Sequence, residues 1–211
     1  MENRLSRIPL FPEAGLNPEQ RVVYDKVASG PRGAVVGPMR AALHSPELAD
    51  RWQWMGEFLR YQSTLPARLS ELAILVCGRY WNSAVEWYVH AEAGLRAGLS
   101  QAVVDAIRQS HPPHFVQADE AVVYEYTRQL LLNGRVGDTA YQDARETLGD
   151  VGIVELTALV GYYTMVAMTL NAHEVPTPDA NPPVLRTLAA AATAPNNAPT
   201  QLPAAVAALL A

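Results

Sequence analysis

The chain has 211 residues, 49% of them hydrophobic and 18% charged, with a net charge of −5. That length supports one domain with a sizeable core, and the negative balance argues against a nucleic-acid surface, which needs clustered positive charge. Cys77 is the only cysteine and Lys26 the only lysine among 16 Lys and Arg side chains. An intrachain disulfide, a CxxC redox pair and a thiolate zinc site are therefore excluded, and Schiff-base chemistry is left to Lys26 alone.

No GxGxxG and no P-loop GK pair occurs, so no nucleotide-phosphate cradle is expected. Residues 1–12 are polar and carry Pro9 and Pro12, unlike a secretory leader. The longest apolar stretch, Leu156 to Ala172, is interrupted by polar residues and falls short of a membrane span. The expectation is a cytoplasmic protein with no membrane partner and no bound metal or organic cofactor.

Helix signals then recur along the chain. Asn17-Pro18-Glu19-Gln20 has the form of an N-cap, a Pro at N1 and a Gln at N3, opening a helix to about Ala28, with Gly30 as its stop. Ser45-Pro46-Glu47 repeats this start. The helix after it carries Leu48, Trp52, Met55 and Leu59 at helical spacing, with Arg51, Glu57 and Arg60 elsewhere on its surface. Pro66 opens another, with Leu69, Leu72, Ala73, Val76, Cys77 and Tyr80 as its buried stripe. Ser83-Ala84-Val85-Glu86 has the capping-box form and starts a helix to Gly98. Ser100 caps a shorter helix ending near Ser110, and the loop His111-Pro112-Pro113-His114 breaks the pattern.

Helices resume at about 119–133, stopped by Gly134, at 139–148, stopped by Gly149, and at 152–172. No segment alternates with period two, so no sheet is expected. The fold class is all-α, a bundle of about six to eight helices. The helix at 152–172 is apolar on more than one face, which points to a homo-oligomer; a trimer, dimer or hexamer is the order implied by the family that the segment 66–100 resembles. Residues 1–40 read as an N-terminal extension with the first helix. Residues 190–211, rich in Ala and Pro, read as a flexible tail. Glu71-Leu-Ala-Ile-Leu-Val and Glu155-Leu-Thr-Ala-Leu-Val match in register, consistent with an old duplication or with a shared amphipathic pattern.

The segment Pro66–Gly98 carries the chemistry. Glu86 and His90 stand at i and i+4 on one helix face. An antiparallel helix pair can bring Glu71 beside them. A carboxylate next to an imidazole is a general acid/base pair, because each group tunes the other toward neutrality. Trp81, Trp87 and Tyr88 flank the set and can keep it dry. The structural alternatives are a capping-box role for Glu86, a core role for His90 and a surface role for Glu71, although Glu71 falls close to the apolar stripe, where a lone carboxylate needs a partner. His111 and His114 lack a third ligand at metal spacing and read as solvated loop. His173 suits the dipole at a helix C-terminus, His44 reads as loop, and Trp52 and Trp54 read as packing.

Pro66-Ala-Arg-Leu-Ser-Glu71-Leu-Ala-Ile-Leu, Glu86-Trp-Tyr-Val-His90, Ala93-Gly94 and Ala97-Gly98-Leu99-Ser100 together resemble the carboxymuconolactone decarboxylase family, whose superfamily includes the AhpD-type alkyl hydroperoxidases. Gly161-Tyr-Tyr-Thr164 and Leu170-Asn171 resemble its long-form members, and the likeness covers about 37–185. In the AhpD branch a Glu is followed 12, 15 and 19 residues later by Cys, Cys and His. Here Glu71 is followed at those spacings by Ser83, Glu86 and His90, so both thiol positions are replaced. Thiol peroxidase chemistry needs a thiolate, and Cys77 is off-motif on a buried stripe.

The resemblance implies an AhpD-like helical fold and a cofactor-free decarboxylase acting on a small carboxylated lactone in aromatic-compound breakdown. His90 is the implied proton donor, with Glu86 and Glu71 as its partners in catalysis. Arg68 and Arg79 are candidates for holding the substrate carboxylate, and Ser83 and Trp87 for lining its pocket. The competing readings are an AhpD-like hydroperoxidase and a non-catalytic helical oligomer that binds a small apolar ligand.

Overall fold

In the computed structural model the described residues are 6–178 and Leu185. Among them all regular structure is helical: a 3-10 turn at Glu13–Gly15, then α1 (Pro18–Ser29), α2 (Pro38–Ala42), α3 (Pro46–Tyr61), α4 (Ala67–Tyr80), α5 (Ala84–Arg96), α6 (Gln101–Arg108), α7 (Ala118–Asn133) and α8 (Asp138–Ala172). The tail expected at 190–211 lies outside the described residues.

Two of the expected caps form. Asn17 Oδ1 accepts from the Gln20 amide at 2.9 Å and Gln20 Oε1 accepts from the Asn17 amide at 3.0 Å, closing the capping box of α1. Ser100 Oγ accepts from the Val103 amide at 3.2 Å at the start of α6. Two do not. Ser45 and Ser83 precede α3 and α5 without a capping hydrogen bond from their side chains. For α5 the reason is burial, since Ser83 is fully enclosed and Glu86 turns inward rather than back to its own N-terminus. The five-residue α2 was not expected, because so short a turn carries no readable periodicity.

The core is organised around α4. From Leu69 to Arg79 every residue of α4 is buried, not one stripe alone, because α5, α7 and α8 all pack on it. Tyr80, expected in that stripe, is only half-buried. Leu72, Leu75, Leu156, Leu159 and Leu170 are among the side chains that fill the space between these helices. Each such leucine contributes ~1.5–3 kcal/mol of burial free energy relative to exposure.

The two helices expected at 139–148 and 152–172 are present and meet at Gly149, whose φ of 71° and ψ of 173° are non-helical, so that α8 is two helices joined across a kink. The reading of the apolar stretch is corrected. By length and composition α8 is long and apolar enough to cross a membrane, and half of its apolar window is buried against the rest of the chain, as in a core helix.

The N-terminal segment is tied down. The Arg7 amide donates to the His173 carbonyl at 2.8 Å, Ser6 Oγ donates to the same carbonyl at 3.0 Å, and Arg7 pairs with Glu174 at 2.6 Å. Arg40 donates to the Leu10 carbonyl at 2.8 Å, and the His44 ring bonds the Pro9 carbonyl at 2.7 Å while stacking on Phe11. Residues 6–11 thus strap α2 to the end of α8.

The backbone at Gly149 lies in a region open essentially to glycine alone, so Gly149→Ala should lower unfolding free energy by about 1–3 kcal/mol. Urea denaturation of the variant against wild type checks this.

Candidate active site

Residues 85, 86, 89 and 90 share one face of α5, and that face forms a wall of a cavity of about 340 Å³. The rest of the enclosure comes from Arg60 of α3, from Tyr162, Tyr163 and Val166 of α8, from residues 32–40, from Leu10 and from residues 175–178. Most of the walls are apolar.

The carboxylates and the imidazole converge at this wall. His90, Glu86 and Glu71 are 4%, 5% and 6% exposed, so all three are cut off from bulk water. His90 Nδ1 lies 2.6 Å from Glu71 Oε2, a charge-assisted hydrogen bond that places the ring proton on Nδ1. Arg60 stands 3.6 Å from the other Glu71 oxygen and compensates its charge. On the opposite edge of the ring, Nε2 faces Glu86 Oε2 at 3.4 Å. That approach is too poorly aligned for a hydrogen bond, and Glu86 Oε2 is left buried without a partner. Tyr163 packs edge-on against the imidazole, with ring centroids 5.1 Å apart, and fixes its plane.

Burial pushes the Glu86 carboxyl above the ordinary glutamate range, against the opposing pull of His90 and Arg60. Burial likewise raises the Tyr163 hydroxyl well above its usual range, so it stays a neutral phenol. The result is an asymmetric pair of acids. Glu71 is hydrogen-bonded, ion-paired and set behind the ring. Glu86 faces the cavity and tends to hold its proton. Such a set can orient an imidazole from one side and exchange a proton with a bound molecule from the other.

The other expected site residues lie elsewhere. Arg68 is held by Glu120 at 2.6 Å and Asp119 at 2.7 Å, a fork across the start of α7 that satisfies its charge. Arg79 donates to the Arg108 carbonyl at 2.9 Å and to Asn82, tying α4 to α6. Trp87 is a fully buried core side chain. Ser83 is enclosed, with its hydroxyl unpartnered. None of the four lines the cavity. The arginines that do are Arg32, Arg40 and Arg60. Nothing in their local sequence distinguishes them from solvated arginines, and only the fold brings them together. Tyr162 and Tyr163 did carry a signal, the Gly161-Tyr-Tyr-Thr164 motif.

The remaining candidates fall in place structurally. Cys77 is buried in the core, where desolvation pushes its thiol up and the thiol donates weakly to the Val160 carbonyl at 3.9 Å. Glu155 does not pair with His173 as Glu71 pairs with His90. It accepts from the amide and hydroxyl of Thr64 at 2.7 and 2.6 Å. His111 and His114 are not buried, and among the described residues no group of three His, Cys, Asp or Glu side chains is placed to hold a metal ion.

No family model and no curated protein matches the sequence. Solved structures do. A peroxidase-related protein from Ralstonia eutropha JMP134 with an alkylhydroperoxidase AhpD core superposes with a TM-score of 0.70 at 13% identity, over 83% of this chain and 93% of that one. A peroxidase-related protein from Silicibacter sp. TM1040 gives 0.65 at 14% identity, over 82% and 91%. A protein of unknown function from Agrobacterium tumefaciens, named as a candidate AhpD antioxidant defence protein, gives 0.59 at 16% identity, over 68% and 99%. The chain has the AhpD-like helical fold. At these identities the likeness concerns architecture, and the chemistry has to be argued from the side chains in the cavity.

The raised Glu86 pKa has a consequence for stability. Folded Glu86 keeps its proton at pH values where an unfolded glutamate, with a pKa near 4.5, has lost it. Its contribution to stability therefore declines as pH rises above that range. Glu86→Gln removes this decline. The stability difference between variant and wild type should move in favour of the variant from pH 4.5 upward, measured by urea denaturation across pH.

Proposed function

We propose that the chain is an acid/base enzyme of the carboxymuconolactone decarboxylase type, a cofactor-free carboxy-lyase acting on a small, cyclic, carboxylated, lactone-like substrate of aromatic-compound breakdown. The observation that carries this reading is the buried Glu71–His90–Glu86 set at a cavity wall, in a chain whose only thiol is sealed in the core. A hydroperoxidase of the kind suggested by the names of the structural neighbours requires an accessible thiolate, and Ser83 and Glu86 stand where the AhpD branch carries its two cysteines.

The reaction divides into two steps. The bond between ring carbon and carboxylate breaks, CO₂ leaves, and the electron pair delocalises into the conjugated lactone carbonyl. The resulting dienolate is stabilised by donors in the cavity and then protonated on carbon. Glu86 faces the cavity and burial biases its carboxyl toward the protonated form, so it is suited to deliver that proton. His90, held by Glu71 with its ring proton on Nδ1, presents a free Nε2 that can take up a proton from solvent and pass it to the Glu86 carboxylate left after the transfer, while Arg60 compensates the charge of Glu71. Glu71 is therefore a positioning residue, while His90 and Glu86 meet the substrate.

Assembly belongs to the same proposal. The outward face of α8 presents Val151, Val154, Met165 and Met168, all exposed and at helical spacing, which suits a contact between copies of the chain. Met165→Glu should shift the solution mass toward a single 23.0 kDa chain in light scattering. A wild-type mass equal to one chain overturns the assembly.

The activity is tested by incubating purified protein with 4-carboxymuconolactone and following CO₂ release. His90→Gln should reduce turnover by ~10²–10⁴-fold, the usual loss for one general acid/base, with an unchanged circular dichroism spectrum. Turnover of organic hydroperoxide by the wild type, sensitive to Cys77→Ala, would overturn the reading.

A further inference from the structure

The cavity is unbalanced in charge. Its lining carries three guanidinium groups, Arg32, Arg40 and Arg60, against a single carboxylate, Glu86, which burial biases toward its neutral form. Arg60 has its counter-ion in Glu71 behind the wall. Arg40 is spent on the carbonyls of Leu10 and Phe11. Arg32 has no carboxylate within ion-pair distance among the described residues. Its one hydrogen bond is a long one, 3.4 Å to the Tyr162 hydroxyl, and its Nε is buried with no acceptor. In a chain of net charge −5, a half-buried guanidinium without a counter-ion and with its Nε enclosed is the exception.

Three separate elements place it there. Arg32 comes from the loop between α1 and α2, Tyr162 from α8, and the space both tips occupy is left open by α3. A methyl group at Gly56 of α3 would collide with the Tyr162 hydroxyl and the Arg32 guanidinium. Arg32 is also close enough to the acid/base set for its charge to act on Glu86. The remaining walls, including Val35, Met39, Val85 and Val166, are apolar.

We propose that Arg32, set by Tyr162 and Gly56, is the specificity-determining anchor for the carboxylate of a small, otherwise apolar organic acid bound in this cavity. The planar fork of an arginine matches a planar carboxylate with two parallel N–H···O bonds, and the apolar walls suit an uncharged ring rather than a polyanion. The site discriminates by charge, since a neutral isostere leaves the buried donors of Arg32 unpaired. The inference rests on reading this cavity as the substrate site, but its test is binding, so an absence of decarboxylation leaves it standing.

Benzoate and its neutral isostere benzamide are the probes, titrated into the full-length protein by calorimetry. Wild type should bind benzoate at least about tenfold more tightly than benzamide, as expected for a charge-assisted hydrogen-bonded pair. Arg32→Gln should bring the two within about twofold of each other, and Arg32→Lys should keep part of the preference. Gly56→Ala, whose methyl group would displace the Arg32 guanidinium and the Tyr162 ring, should weaken the preference. Equal binding of both probes by wild type, binding of neither, or a full preference retained in Arg32→Gln overturns the proposal. Should Arg32→Gln fail to fold, Arg32→Lys and Gly56→Ala decide the matter.

Discussion

Removing two carboxylates and an imidazole from water is the constraint around which this fold is arranged. Each carboxylate would cost several kcal/mol if buried alone and ionised. Glu71 avoids that cost by accepting from His90 Nδ1 at 2.6 Å and facing Arg60. Glu86 has no such partners, and burial biases its carboxyl toward the protonated form. The same low-dielectric enclosure therefore holds two identical side chains in different ways, one by hydrogen bond and ion pair and one by desolvation. The geometry is rigid because α4 and α5, which carry all three groups, lie against each other at the centre of the bundle, where α4 is buried over eleven successive residues.

Much of this was legible in sequence, and the reasons are local. Asn17 and Gln20, Ser100, and the i, i+4 spacing of Glu86 and His90 act over one helical turn, so composition at fixed offsets predicts them. The helix boundaries at Gly134 and Gly149 follow from the same kind of signal, with Gly134 closing α7 in the left-handed conformation and Gly149 bending α8 rather than ending it. The capping box proposed for Ser83 and Glu86 failed for an instructive reason. Local pattern offers Glu86 the α5 N-terminus, but tertiary packing encloses Ser83 and turns Glu86 to the cavity face of the helix. Arg68 and Arg79 carry no local sign of their partners: the carboxylates that neutralise Arg68 sit more than fifty residues downstream, on α7. The arginines that do line the cavity come from the loop before α2, from α2 itself and from α3, and no local pattern links them.

The fold shared with AhpD-like structures does not by itself dictate which acid stands at position 86. That position lies on the cavity face of α5, beside His90. A thiolate there serves redox chemistry, and its reactivity depends on easy ionisation. A carboxyl there serves proton transfer, and its usefulness depends on resisting ionisation. One buried environment, which raises the pKa of any acid placed in it, is suited to the second task. The lone Cys77 shows the same effect in the core, where burial keeps its thiol protonated and inert.

The N-terminal segment has to be counted as part of the site rather than as an appendage. Without residues 6–11 and 32–40, the face of α5 bearing Glu86 and His90 would open to solvent on one side, and water would screen the interactions that separate the two carboxyls. The strap from Ser6 and Arg7 to His173, and from Arg40 to the Leu10 and Phe11 carbonyls, closes that side. It uses the last residues of α8 as its anchor, so the two ends of the described chain meet over the cavity. Closure and charge then arise from the same stretch: the segment that excludes water also carries Arg32 and Arg40 into the lining. The acid/base set comes from the central helix pair, while the cationic wall comes mainly from the region around α2.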